Sequence, residues 1–163
     1  MKTLLILRHA KSSWKDEDLS DHDRPLNKRG KANAPQVGEL IQREGLMPDL
    51  ILSSTANRAR QTAELLAESA GYEGDIRLLR ELYAAPPSAY IDALSKLDDR
   101  FDRVLVVGHN PGLEDLLQIL TLAVQSMPTA ALACISLPLE RWSDLTQRTR
   151  GKLADIWRPK EIE

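Results

Sequence analysis

Thr3-Leu4-Leu5-Ile6-Leu7, followed at once by Arg8-His9, and Arg103-Val104-Leu105-Val106-Val107, followed by Gly108-His109-Asn110-Pro111-Gly112, decide how this chain reads. Each begins as a short, nearly continuous apolar run, the pattern of a strand covered on both faces. Each then ends on a histidine. The chain has three histidines, and two of them stand directly after such runs. In open α/β sheets, ligands bind beyond the carboxyl ends of the strands, so these two positions are where chemistry is expected.

Working outward, Asp49–Ser53 reads as a second buried strand, Arg77–Leu82 as a short one and Ala130–Leu137 as another. Lys152–Trp157 pairs with Ala130–Leu137 as a last strand, antiparallel across the intervening loop. Between the strands lie helical patterns: Lys28–Glu44 behind the cap Asn27, Thr55–Ala70 ended near Gly71, Pro87–Leu97 and Pro111–Leu122. Pro35 falls inside the first helix and is expected to kink it or to shift its start. Strands alternating with helices predict a three-layer α/β/α sandwich with a mainly parallel central sheet and one antiparallel C-terminal edge strand.

The bulk numbers fit that architecture. The 163 residues suit a single domain spanning 1–163, 42% hydrophobic residues suffice for a core, and the formal net charge is -2. That balance points to neither nucleic-acid nor membrane binding, so cations for an anionic ligand must come from a few placed residues. The single cysteine, Cys134, excludes an intrachain disulfide and fits a reducing compartment; it reads as a small buried hydrophobe on a strand. The apolar stretch after Met1-Lys2 stops at Leu7, too short for a signal peptide, and no run approaches membrane-spanning length. A soluble, cytoplasmic protein is expected. Its oligomeric state is not written in the sequence, and a monomer is compatible with it.

The residues expected at the strand ends share one chemistry. Arg8 and His9 follow the first strand; Ser53-Ser54, with Arg58 about a turn into the next helix, follow the second; His109 follows the third. Two guanidiniums grip a phosphoryl group bidentately and stay charged at any working pH. Helix N-termini after Ser54 and Asn110 would add backbone N–H donors. A neutral imidazole beside these cations can attack phosphorus, its pKa lowered by the surrounding charge and its second ring nitrogen held by a main-chain carbonyl. The other imidazole would donate to the phosphoryl oxygens as charge builds.

Leu7-Arg8-His9-Ala10 resembles the Arg-His-Gly signature of the histidine phosphatase superfamily, with Ala10 in place of glycine. Ser53-Ser54-Thr55-Ala56-Asn57-Arg58-Ala59 resembles its second motif, and His109 in Gly108-His109-Asn110-Pro111-Gly112 its second catalytic histidine. Ser12 and Trp14 match positions that phosphoglycerate mutases of the superfamily also fill with Ser and Trp, whereas Lys15 departs from their Asn. The loop Asp23-Arg24-Pro25-Leu26-Asn27-Lys28-Arg29-Gly30, the run Arg58–Glu64 and the closing Trp157-Arg158-Pro159-Lys160 are most similar to SixA-type phosphohistidine phosphatases. The resemblance implies a nucleophilic His9, phosphate-binding Arg8 and Arg58 and a second catalytic His109; Glu81 is either the general acid of many family members or a strand-end carboxylate paired with an arginine.

Other positions carry weaker expectations. Ser12 contacts the phosphoryl group or caps a turn; Lys11 and Lys15 are loop charges that steer substrate or are merely solvated. His22, in Ser20-Asp21-His22-Asp23, has only superficial metal-ligand spacing and reads as a solvated loop residue, so no metal site is expected. Trp14, Trp142 and Trp157 read as packing residues. No Gly-rich phosphate loop is present. The expected activity is two-step hydrolysis without cofactor or metal. Its substrate is a phosphoprotein or a small phosphorylated molecule, with phosphohistidine on a signalling protein preferred. The alternatives are a phosphatase of small phosphomonoesters, a mutase, and a non-catalytic phosphate-binding module. An alkoxide leaving group needs a proton more than an imidazole does, so Glu81 pulls towards phosphomonoesters.

Overall fold

The computed structural model describes residues 1–159, so Lys160 of the closing motif lies outside the described residues. In chain order the elements are β1 (Lys2–Arg8), α1 (Lys28–Arg43), β2 (Leu50–Ser54), α2 (Asn57–Ala70), β3 (Ile76–Leu79), α3 (Pro87–Ser95), β4 (Arg103–Gly108), α4 (Gly112–Thr121), β5 (Leu132–Leu137) and β6 (Lys152–Trp157). They form one six-stranded sheet in the order β3-β2-β4-β1-β5-β6. Neighbours from β3 to β1 are parallel; β1–β5 and β5–β6 are antiparallel. The edge strand thus pairs antiparallel as expected, and the strand running against the other five is its neighbour β5.

Alternation along the strands divides the interior into two cores. Leu5 and Leu7 of β1, Ile51 of β2 and Leu105 and Val107 of β4 pack against Val37, Ile41, Ala63 and Leu66 of α1 and α2. Leu4, Ile6, Leu52, Val104 and Val106 face the other way, onto Leu94, Leu113, Leu116 and Leu120 of α3 and α4. Because both faces are covered, β1 and β4 show the unbroken apolar runs that marked them in the sequence. Trp142 lies in the second core, fully buried, its indole N–H donating to the Phe101 carbonyl at 2.7 Å. Trp157 packs at the edge of the first core, and Cys134 is buried there on β5 with its thiol pKa pushed up by burial. Among the described residues no helix is long and apolar enough to cross a membrane.

Two boundaries near the cleft move, and the start of α1 does not. Helix α1 starts where expected, with the Asn27 side chain accepting from Gly30 N–H at 2.9 Å, and it runs through Pro35 without a shift of its start. Packing on α2 supports that segment: Ser69 Oγ donates to the Pro35 carbonyl at 2.6 Å, and Gly38 lies so close that a β-carbon would strike the Leu66 carbonyl. Helix α2 starts at Asn57 and not Thr55, because Ser54 and Thr55 are engaged elsewhere; it ends on Gly71 at φ 73°. Strand β3 stops at Leu79. A 3-10 turn over Arg80–Leu82 follows, turning Leu82 into the core and Glu81 out to solvent.

Candidate active site

Register brings the two histidines together. Strand β1 lies parallel to β4 with Leu7 opposite Val107 and Arg8 opposite Gly108, and His9 N–H donates to the Gly108 carbonyl at 3.1 Å. The imidazoles of His9 and His109 are therefore 5.2 Å apart between centroids, both buried. Gly108 has to be glycine: a β-carbon there would run into the Tyr90 phenol, whose oxygen accepts from His109 N–H at 3.2 Å. The parallel strand β2 and the first turn of α2 add Arg58 at the same edge.

Each imidazole is oriented by its second nitrogen. His9 Nδ1 donates to the Ala10 carbonyl at 2.7 Å, the main-chain acceptor its chemistry requires, leaving Nε2 with its lone pair. His109 Nε2 lies 2.8 Å from Ser54 Oγ, which itself accepts from Ala56 N–H. Ser54 Oγ thus anchors the His109 ring through Nε2. Burial, aided by Arg58, Arg8 and Arg24, pushes the His9 pKa down to about 4. Burial, together with His9 and Arg58, pushes that of His109 down to about 3. Both rings are neutral at physiological pH.

The cleft over these rings has a volume of about 540 Å³ and is lined by Arg8, His9, Ser12, Arg58, His109 and Asn110, with Lys11, Trp14, Lys15, Asp21 and Arg24 at its wall and mouth. Arg8 donates to the Met127 carbonyl at 3.2 Å and leaves its buried Nε without a partner. Burial lowers the Arg8 pKa, and Glu114, in the first turn of α4 and accepting from Asn110 and from Met127 N–H, opposes that shift. That carboxylate offsets the α4 dipole, so the positive potential of the cleft comes from its guanidiniums and not from that helix end.

The sequence assigns no role to two cleft residues, Asp21 and Arg24, or to Tyr83, which holds Asp21. Arg58 donates to the Asp21 carbonyl at 2.7 Å and to its carboxylate at 3.0 Å. The same carboxylate accepts from Arg24 at 3.1 Å and from the Tyr83 hydroxyl at 2.6 Å. The Tyr83 hydrogen bond and the two guanidiniums lower the Asp21 pKa, so it is ionised. Arg24 is buried, donates to Ser12 Oγ and to the Ser13 carbonyl, and lies 3.3 Å beneath the Trp14 ring. Arg24 had been visible only as part of the loop motif; the one signal for its pairing was the three-residue spacing from Asp21.

Several expectations need correction. Glu81 is exposed and lines a separate groove with Arg77, Asp92 and Lys96, not the cleft, because the 3-10 turn breaks the alternation that would have aimed it inward. Tyr83 is the residue of this segment that approaches the histidines, its ring 5.6 Å from that of His109. His22 is not simply solvated: its Nε2 lies 2.8 Å from Thr55 Oγ1 and its ring meets Tyr83 edge-on at 4.8 Å. Trp14 is not a packing residue; it is 74% exposed. Ser12 is buried at the cleft, pairs with Leu26 in an isolated bridge and accepts from Arg24. Lys11 and Lys15 are exposed at the cleft mouth.

Comparison with known proteins gives one consistent answer. The profile of the histidine phosphatase superfamily (branch 1) matches residues 4–83. An uncharacterized protein of Mycobacterium tuberculosis is 34% identical over 150 residues, covering 92% of this chain and 91% of its own. An uncharacterized chloroplastic protein of Arabidopsis thaliana is 32% identical over 152 residues, covering 88% and 70%. A crystal structure from Agrobacterium tumefaciens, designated phosphohistidine phosphatase SixA, superposes with a TM-score of 0.83 at 31% identity over 97% of this chain and 98% of that one. This chain belongs to the histidine phosphatase superfamily and is a histidine-dependent phosphatase.

Proposed function

We propose that the enzyme hydrolyses phosphohistidine on a protein through a phosphohistidine of its own, formed on His9. The observation that carries this reading is the pair of neutral, buried imidazoles 5.2 Å apart, His9 with its Nε2 lone pair free and His109 anchored on Ser54, enclosed by arginines. Arg8 and Arg58 hold the phosphoryl oxygens, and Arg24 and Ser12 complete the wall. His9 Nε2 attacks phosphorus in line as the bond from phosphorus to the substrate imidazole breaks; that ring, protonated on its other nitrogen, leaves as neutral imidazole, and His109, in the tautomer with its proton on Nδ1, donates to the phosphoryl oxygens as charge gathers on them. Water then attacks the phosphorus on His9, releasing orthophosphate and restoring the imidazole.

The leaving group is argued from the carboxylates. Asp21 is the carboxylate in the cleft lining, and it is held ionised by Tyr83, Arg58 and Arg24, so it has no proton to give. An alkoxide leaving group depends on such a donor; the weaker P–N bond of phosphohistidine depends on it less. The exposed face of Trp14 at the mouth offers a stacking surface to an incoming imidazole. The likeness to the Agrobacterium protein designated phosphohistidine phosphatase supports the same choice.

The test compares a phosphohistidine peptide with a sugar phosphate at equal concentration. The peptide should turn over with the higher kcat/KM, and rapid acid-free quenching should trap phosphate on His9. Faster turnover of the sugar phosphate would move the assignment to small phosphomonoesters. Phosphate release that survives His9→Ala would remove the proposed nucleophile.

A further inference from the structure

A second groove of about 510 Å³ opens from the mouth of the cleft, sharing Ser13, Lys15 and Asn27 with it. Its lining continues through Pro25 and Leu26 to Lys28, Arg29 and Lys31, and it contains no acidic residue. Lys11 extends the same edge at the cleft side. Lys11, Lys15, Lys28 and Lys31 are all exposed, and among the described residues none of them forms an ion pair.

The placement works against local stability. Lys28, Arg29 and Lys31 stand in the first turn of α1, which has no acidic residue, and cations there oppose the positive end of the helix dipole. Helix α4 shows the usual choice, with Glu114 and Asp115 in its first turn. A chain whose formal net charge is -2 thus gathers Lys11, Lys15, Lys28 and Lys31 beside its phosphate cleft, where like charges repel one another and none of the four forms an ion pair among the described residues. Such a row fits an anionic partner laid along it.

We propose that this groove docks an acidic stretch of polypeptide flanking the phosphorylated residue of a phosphoprotein substrate, so that specificity rests on the flank as well as on the phosphoryl group. The inference builds on the phosphoprotein reading above. The groove leads away from the cleft along the surface, which suits an extended segment, and Pro25 and Leu26 give its floor an apolar strip between the lysines.

The test uses Lys28→Gln/Lys31→Gln, two substitutions outside the cleft lining. One probe is a fluorescent, unphosphorylated peptide rich in glutamate; its control has glutamine at those positions. The glutamate peptide should bind the wild type more tightly than the control, weaken about fivefold in the double variant, and lose most of its advantage in high salt. Equal binding of the two peptides, or equal binding to wild type and variant, overturns the docking groove. So does an oligothymidylate that binds as tightly as the glutamate peptide. Turnover is the separate arm. In phosphohistidine peptides with the same two flanks, the glutamate advantage should appear in KM and vanish in the double variant, while p-nitrophenyl phosphate turnover stays unchanged. If neither phosphopeptide turns over but the acidic peptide still binds as described, the substrate reading fails and the docking groove stands.

Discussion

The floor and the wall of the cleft are built differently. On the floor, His9 and His109 project from adjacent parallel strands, fixed by ladder register and by single hydrogen bonds to Ala10 and Ser54, and both are buried. On the wall, Arg24 and Arg58 share one charged partner, Asp21, whose side chain is half exposed on the loop after β1. A floor of this kind does not depend on salt or loop motion; a wall hung on a partly solvated ion pair depends on both. The nucleophile is therefore pre-positioned by the fold, whereas the grip on the anion is adjustable.

The comparison breaks first at the floor. His9→Ala should lower kcat/KM by about 10⁴-fold or more, since no other group in the lining offers a lone pair from the same position, and trapped phosphoenzyme should disappear. His109→Gln should retain the trapped intermediate while lowering kcat about 10²- to 10³-fold, the scale of losing one donor to a developing charge. Equal losses with no intermediate in either variant would mean that the two rings do not divide the roles as assigned.

The arginines come next. Arg58→Ala should lower kcat/KM about 10²- to 10³-fold, and Arg58→Lys should recover little, because a point charge replaces a planar fork that also holds Asp21 in two places. Full rescue by lysine in a steady-state assay would reduce Arg58 to a bulk charge.

A smaller effect reads the burial of the floor directly. His9 has a folded pKa of about 4 against an ordinary value of 6.5, so the unfolded chain binds the extra proton first as pH falls. The neutral ring's contribution is intact above about pH 6.5 and is lost progressively between 6.5 and 4. By pH 5 the loss from His9 alone is about 2 kcal/mol, and His109 acts in the same direction. Urea denaturation at pH 7 and pH 5 should show it, with a smaller pH dependence in His9→Gln. An unchanged slope in that variant would place the acid sensitivity elsewhere.

What the sequence made legible follows the same division. Apolar runs ending at Arg8-His9 and Gly108-His109 announce buried parallel strands, and parallel strands put their ends at one edge, so fold and floor could be read without coordinates. The wall could not. Asp21 meets Tyr83 across 62 residues of chain, and nothing periodic links them. Glu81 was misplaced for a local reason: four residues of strand give way to a 3-10 turn, and a change of period inside Ile76–Leu82 leaves no mark in so short an apolar segment. His22 and Trp14 read as solvated and packed for want of the loop's path, which Gly30 and Lys11 fix by close backbone approach.

The smallest effect sharpens the comparison most. Asp21 already holds Arg58 and Arg24 by their guanidinium nitrogens, the groups a phosphoryl oxygen needs, so the carboxylate both aims these side chains and competes for them. Asp21→Asn keeps the shape and the acceptor oxygen but removes the charge. If competition dominates, inorganic phosphate should bind more tightly and KM should fall; if aiming dominates, KM should rise. The Tyr83 hydrogen bond and the Arg58 contact to the Asp21 main-chain carbonyl survive the substitution, so part of the aim is kept without the charge. The lost charge matters most for Arg24, whose other acceptors, Ser12 Oγ and the Ser13 carbonyl, are neutral. Aiming should therefore win by a modest margin, with KM rising about tenfold, kcat nearly unchanged and the salt dependence of KM reduced. Tyr83→Phe, which leaves the charge in place, should move KM less than Asp21→Asn does. The reverse order would make the phenol, not the carboxylate, the post on which the wall hangs.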